Sequence, residues 1–432
     1  MKIDDRLHWT YVFRPGRVGV VSTLALDRTE PGYHPGMPDY RRVVGALFAA
    51  GLGTFALLYS AQALLPEFVT EFGVSSGSST MALSVTTLGL GVALLVAGPV
   101  SDAIGRTQLI HLSLALSCSL ALACAVAPTW EALLALRFLE GVALAGLPAV
   151  ATAYLREELH ASTHARAAGL YIGGTALGGM AGRLVTGPVG EVAGWRWALV
   201  SAALLGIGCA VAVRLLLPPS RHFSPGPSDV RTAVRMGRRA LSDPALLALY
   251  GVGACTVGAL VAAFNAVGFR LAEPPFGLGL AAASLVFLVY PLGTVSATLF
   301  GRLADRFGRR AVMPAGAFVA IVGVGVTLPD ALLAVVAGLG LITVGFFAVH
   351  GVASGWVPAR AHAGGVSTAQ AASFYLFAYY LGSSVFGSLG GAAFARGGWA
   401  LTAAFVALLL TVAGVLSLVL RRTPVLVVTP AP

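Results

Sequence analysis

The polar side chains stranded inside long apolar runs are the ones that could do chemistry. The chain is 57% hydrophobic and 11% charged, so there are few of them. Arg137 and Glu140 stand three residues apart in one run. On a helix that spacing puts them on one face, where they can pair. Each charge at the centre of a membrane-spanning helix costs about 2.5–3.5 kcal/mol on insertion scales, and pairing offsets part of that cost. Glu140 is the one carboxylate placed well inside a run. Burial favours the protonated form of a carboxylate, and a neighbouring guanidinium the ionised form. Glu140 therefore reads either as a proton carrier, released when substrate displaces Arg137, or as half of a fixed ion pair lining a wet cavity. Arg183 lies late in another run. It could bind an anionic or polar substrate, pair with Glu191, or snorkel to the membrane surface. His350 could titrate near neutral pH, or serve only as a hydrogen-bonded packing residue. Tyr59, Gln62, Asn265, Tyr375, Tyr379 and Tyr380 bring aromatic faces and hydrogen-bonding groups. Such a set suits sugars and planar cations alike, although some of its members are expected to be packing residues.

A second set of residues is recognised by repetition. GPVSDAIGR at 98–106 returns as GRLADRFGR at 301–309. Gly98, Asp102, Gly105 and Arg106 recur in register as Gly301, Asp305, Gly308 and Arg309. Each copy joins two apolar runs. The second glycine permits a tight turn. The aspartate can accept hydrogen bonds from a neighbouring helix N-terminus or pair with the arginine. The expected role is a conformational latch, against the simpler reading of a topology marker. Further echoes are EALLA at 131–135 with DALLA at 330–334, Gly194-Trp195 with Gly398-Trp399, and Tyr171 with Tyr375.

The elements that must position these groups are membrane helices. About 20 apolar residues cross a bilayer, and backbone groups in lipid must be paired internally. The long continuous runs exclude a transmembrane β-barrel, whose strands are short and alternating. Twelve spans are expected, near 43–65, 78–99, 109–127, 131–154, 167–190, 196–217, 244–269, 279–300, 311–328, 331–356, 367–394 and 398–420. The organisation is a tail at 1–42, a six-helix bundle at 43–217, a linker at 218–243, a second six-helix bundle at 244–420 and a tail at 421–432. No signal peptide is recognisable, and the basic, turn-rich first tail reads as flexible, its leading residues compatible with an over-extended translation start. Gly174, Gly178 and Gly182 make one flat helix face for close packing, with Ser383, Gly387 and Gly391 as the expected counterpart.

The formal net charge of +10 is explained by orientation rather than by nucleic acid. With both termini inside, Arg106, Arg156, Arg166, Arg221, Arg231, Arg235, Arg238, Arg239, Arg302, Arg306, Arg309, Arg310, Arg360, Arg421 and Arg422 fall on the cytosolic side. Arg196, Arg270 and Arg396 remain outside, as the positive-inside rule requires. Duplicated halves of this kind pack about an axis along the membrane normal, with substrate between them.

The glycine-turn repeat, RFLEG at 137–141 with Gly146, and the six-plus-six arrangement resemble the major facilitator superfamily over nearly all of 43–420. TFALLYSAQALLP at 54–66, YIGGTALGGMAGRL at 171–184 and SFYLFAYYLGSS at 373–384 more narrowly resemble its bacterial YnfM-type branch, grouped with acriflavine-sensitivity and arabinose-efflux-like permeases. The resemblance implies an all-α membrane protein of twelve helices in two pseudo-symmetric bundles. It also implies a single-polypeptide secondary transporter driven by a proton gradient, exporting its solute. Arg137 matches that family's fourth-helix arginine, while Glu140 stands where the motif often has an uncharged residue. GPVG at 187–190 is faintly similar to the fifth-helix antiporter motif, but Arg183 occupies the place of its first glycine, which weakens an inference of drug antiport.

The expected function is therefore proton-coupled efflux of a small amphipathic drug-like or sugar-like solute by alternating access, in a bacterial inner membrane and as a monomer. The alternative is a facilitator or proton symporter importing a polar metabolite. A polytopic membrane enzyme is a remote alternative, because no HExxH, DxxD pair or phosphate-cradling loop is present. The four cysteines form no CxxC pair and lie in apolar runs, so neither a metal site nor a disulfide framework is indicated. No cofactor and no ATP-binding motif is expected. The sequence gives neither the substrate nor the direction of transport.

Overall fold

The computed structural model describes residues 9–14, 17–22, 32–221, 223 and 230–424. Arg6, Arg28, the segment 224–229 of the expected linker and residues 425–432 of the expected C-terminal tail lie outside the described residues. Among the described residues, twelve helices are long enough to cross a membrane once two long helices are divided at their kinks. The first half comprises Pro38–Phe72, Ser76–Ile104, Arg106–Ala125, Trp130–Glu158, 164–193 and 195–216. The second comprises Pro244–Ala272, Leu280–Phe307, Arg309–Val326, Leu332–Ala363, 368–396 and 399–419. The kinks fall at Gly194, with φ 81°, and at Gly397 and Gly398, the latter with φ 59°. Only glycine takes a positive φ without steric cost, so the Gly-Trp echo marks where each half turns into its last span. Some helices run a turn or more beyond the expected limits, as at Pro38–Phe72 and Leu332–Ala363, whereas Arg106–Ala125 and Arg309–Val326 end two residues short of theirs.

Outside the spans, strands Trp9–Arg14 and Arg17–Ser22 pair as an antiparallel hairpin, Trp9 opposite Ser22. A short helix, Val230–Ala240, joins the halves.

The halves are built alike. The first span packs on the fifth and sixth, and the seventh on the eleventh and twelfth. Small residues set these contacts. A Cβ at Gly174, Gly178 or Gly182 would run into the backbone of Phe48, Leu52 or Ala56. In the second half the corresponding contacts are Gly382 on Ala254 and Gly390 on Ala262. The expected counterpart stripe is thus displaced by one residue. Gly391 faces the other half instead, against Thr80 and Gly77, while Gly387 lies against Val261 and Asn265 of the seventh span and only borders Ser84 of the second.

Two spans are interrupted within their length. The first stops at Tyr59, passes through a 3-10 turn at Gln62–Leu64 and restarts at Leu65. The eighth is 3-10 from Leu285 to Val289 and restarts at Pro291. In both, a proline at the restart (Pro66, Pro291) lacks an N–H and crowds the preceding turn. Carbonyls and side chains at these breaks are left free for other partners.

Candidate functional site

The halves touch at one end and part at the other. On the second span the stripe toward the eleventh runs through Thr80, Ser84 and Gly91, which meet Gly391, Gly387 and Tyr380. One to two turns further, Leu95 is 38% exposed and a Cβ at Gly98 would meet nothing within 4 Å. On the fifth span Gly187 packs on Ser284 and Arg183 reaches Tyr290, yet Cβ atoms at Gly173 and Gly169 would also meet nothing, as would one at Gly301 on the eighth span. A cleft therefore opens between the halves toward the face that carries the two glycine turns. The opposite face is sealed, with Glu191 Oε2 accepting from the Ala281 N–H at 2.8 Å.

At the closed apex of this cleft lies a polar cluster donated by both halves. The broken first span presents Gln62 there, fully withdrawn from solvent. Gln62 donates to Asn265 of the seventh span at 2.6 Å and accepts from Arg183 Nε at 2.6 Å. Arg183 is fully buried and also donates to the Gly179 carbonyl at 2.7 Å and to the Tyr290 hydroxyl at 3.1 Å. Its guanidinium lies 4.1, 4.7 and 4.5 Å from the ring centres of Tyr59, Phe287 and Tyr290. Such cation–π contacts are worth about 2 kcal/mol or more when desolvated. The expected pairing with Glu191 and the snorkelling geometry are both excluded here, because Arg183 points inward and Glu191 is engaged elsewhere.

The other titratable candidates separate. Arg137 and Glu140 do pair, at 2.8 Å, and both are buried. Arg137 is consumed within the first half, donating to the carbonyls of Ala82, Leu57 and Leu58 and to the Ser60 hydroxyl. The Leu57 and Leu58 carbonyls lie at the break in the first span, where the Leu57 carbonyl also accepts the Ser60 N–H and hydroxyl. The pair thus staples spans one, two and four together and does not enter the cluster at the apex. Glu140 Oε1 has no partner among the described residues, and Cys124 Sγ lies 3.7 Å from Oε2. The four cysteines are free and buried. His350 is only partly buried. Its Nδ1 lies 2.9 Å from the Tyr375 hydroxyl, and its ring stacks on Phe346 and approaches Tyr379 at 4.9 Å. Tyr379 and Tyr380 make an edge contact and belong with Tyr59, Phe287 and Tyr290 to one aromatic core. The structure therefore unites Tyr59, Gln62, Arg183 and Asn265, sets His350, Tyr375, Tyr379 and Tyr380 beside them, and withdraws Arg137 and Glu140. Tyr290 and Phe287 were missed in the sequence; the available signal was an aromatic pair just before a mid-span proline.

The repeated turns share one backbone conformation, with φ/ψ of 92°/151° at Gly105 and 86°/143° at Gly308. Their side chains differ. Arg106 pairs with Asp102 at 2.9 Å and with Glu157 at 3.2 Å. Asp305 is exposed and has no ion pair among the described residues. Among the described residues, no hydrogen bond or ion pair joins Asp102, Arg106, Asp305 or Arg309 to the other half.

Among the described residues, no group of three or more His, Cys, Asp or Glu could hold a metal ion.

Residues 43–291 match the Major Facilitator Superfamily. The chain is 38% identical over 395 residues to the uncharacterized MFS-type transporter YybF of Bacillus subtilis, covering 90% of this chain and 95% of that one. It is 39% identical over 378 residues to the inner membrane transport protein YnfM of Escherichia coli, covering 88% and 90%. Among solved structures, a bacterial homolog of the human lysosomal transporter Spinster, inward-facing and occupied, superposes with TM-score 0.71 at 16% identity, over 90% of this chain and 98% of that one. The nucleoside transporter NupG superposes with TM-score 0.66 at 15% identity, over 88% and 99%.

Proposed function

From the premise that this chain belongs to the major facilitator superfamily, a multi-pass membrane transporter by descent, we propose that it exports a small amphipathic solute against protons by alternating access, the solute binding at the Arg183 cluster. One observation carries this reading. The hydrogen bonds Arg183–Tyr290 and Gln62–Asn265 cross between the halves at the point where their facing stripes separate. A ligand that reaches the apex of the cleft meets those bonds, and rearranging them changes how the halves hold together.

The face with the glycine turns is cytosolic in this reading, since it carries most of the arginines, so the cleft opens inward. Both termini are cytosolic, the membrane is a bacterial inner membrane and the working unit is a monomer. The halves divide at 43–217 and 244–420. The turns act as latches that engage across the halves only when the cytosolic side closes, which accounts for the unpartnered Asp305 in an inward-open chain.

His350 is the proton carrier in this account. It sits beside the aromatic core shared with the solute site and within hydrogen-bond reach of the Tyr375 hydroxyl, whereas Glu140 is held in a structural pair. The test is solute-driven proton flux in proteoliposomes under a pH gradient, for wild type, His350→Gln and Glu140→Gln, with a panel of neutral, cationic and anionic solutes. Flux should fall at least about tenfold in His350→Gln, the order of a lost proton relay, and persist per folded molecule in Glu140→Gln. Flux lost only in Glu140→Gln would return the proton to that carboxylate. Solute movement without proton flux in wild type would replace the antiporter by a facilitator.

A further inference from the structure

Arg183 is anomalous among the buried charges of this chain. Four other arginines are buried or nearly so, and each meets a carboxylate: Arg106 with Asp102 and Glu157, Arg137 with Glu140, Arg270 with Asp330, and Arg360 with Asp243. Arg183 is fully buried, and all its partners are neutral: the Gln62 amide oxygen, the Gly179 carbonyl and the Tyr290 hydroxyl. A guanidinium has five N–H donors, so three accepted bonds leave part of its capacity unused. A buried charge without a counter-charge is costly. Three aromatic rings offset some of that cost and supply no anion.

We infer that the missing counter-charge is the solute, and that Arg183 recognises a monoanionic carboxylate or similar oxyanion borne on a flat apolar body held by Tyr59, Phe287 and Tyr290. This rests on the transport reading above and adds the substrate class to it. A carboxylate oxygen can take the place of Gln62 Oε1 or of the Tyr290 hydroxyl on the guanidinium, with bidentate geometry that no neutral acceptor matches. Exchange at Tyr290 breaks an inter-half bond directly, and exchange at Gln62 frees within the first half the amide that holds Asn265 across the halves. The Gln62 amide then turns from Arg183 while still tied to Asn265, or Tyr290 releases the fifth span. Anion binding and rocking of the halves thereby become one event. The same charge disfavours planar cations at this site, because a cation there would face an uncompensated guanidinium with no carboxylate nearby to balance it.

The test uses purified full-length protein and three size-matched probes, benzoate, benzamide and benzyltrimethylammonium, with binding read by thermal stabilisation and by titration. Benzoate should bind wild type at least about tenfold more tightly than either other probe, the scale of a desolvated charge pair. Arg183→Gln should lose that preference and bind benzoate more weakly by about tenfold or more, and Arg183→Lys should retain part of it. Size-exclusion profiles matching wild type establish that the variants fold. Equal binding of the three probes to wild type, no binding of benzoate, or undiminished benzoate binding by Arg183→Gln would each overturn the inference. Its failure is distinguishable from failure of the transport reading, because opening and closing of the cleft can be followed by spin labels at positions 169 and 301 without any solute of this class.

Discussion

Arg137→Ala is expected to cost the protein much of its folded population. Removing the guanidinium leaves the Glu140 carboxylate buried without its counter-charge and takes a donor from the carbonyls of Leu57, Leu58 and Ala82. Breaking one partner of a buried pair costs about 3–5 kcal/mol in proteins where it has been measured. The break at Tyr59 to Gln62 makes this site more dependent than a regular helix would be, because the Leu57 and Leu58 carbonyls sit at the end of the interrupted ladder. The measurement is the melting temperature and monodisperse fraction in detergent. Both should fall clearly in Arg137→Ala and recover in part in Arg137→Met/Glu140→Gln, which removes the charge together with its partner. A variant that melts like wild type but fails to transport would place the pair in the solute or proton pathway instead of in the scaffold.

Gly173→Leu is expected to fold and to stop the cycle. Gly173 lies on the stripe of the fifth span that meets Ser284 and Tyr290 at one end and loses contact at the other. A side chain there stands in open space and, in the proposed cycle, is trapped between the halves when this side closes. Overpacking costs about 1–3 kcal/mol, which depopulates the closed state by roughly tenfold to a hundredfold. Transport rate should fall by that factor, while solute binding from the open side stays near wild type. Gly178→Leu supplies the contrast. Its Cβ collides with the Leu52 backbone inside one half, so that variant should fail to fold. Wild-type transport by Gly173→Leu would mean that this stripe never closes.

The sequence carried the architecture because lipid leaves few solutions. Long apolar runs must be helices, and a register-preserving repeat of Gly98, Asp102, Gly105 and Arg106 declares two related halves. The positive φ shared by Gly105 and Gly308 is the backbone reason those glycines recur. The site was legible only in part. Spacing shows that Arg137 and Glu140 share a helix face, but whether that face looks into the cleft or into its own bundle depends on which neighbour supplies free carbonyls. The broken first span decided it, and neither spacing nor hydropathy reports such a break. Arg183 illustrates the converse. Its position near a span end allowed snorkelling, and only packing of the fifth span against Gln62 and Tyr290 turns it inward. The displaced glycine stripe of the eleventh span has the same origin: Ser383, Gly387 and Gly391 match the fifth-span spacing, yet a one-residue shift rotates a helix by about 100°, enough to exchange the intra-half contact of Gly390 for the inter-half contact of Gly391.

The central claim is that the cleft beneath Arg183 opens and closes as the halves rock. Its most direct test is the distance between spin labels at Gly169→Cys and Gly301→Cys, in a chain whose four buried native cysteines have been replaced, reconstituted in lipid. Neither glycine position has a neighbour within 4 Å of an added Cβ, so labels fit without disturbing the fold. Two populations are expected, a long distance from the open state and a shorter one from the closed state, with a ratio that shifts with pH. A single distance, unchanged with pH and with bound solute, would contradict alternating access at this site.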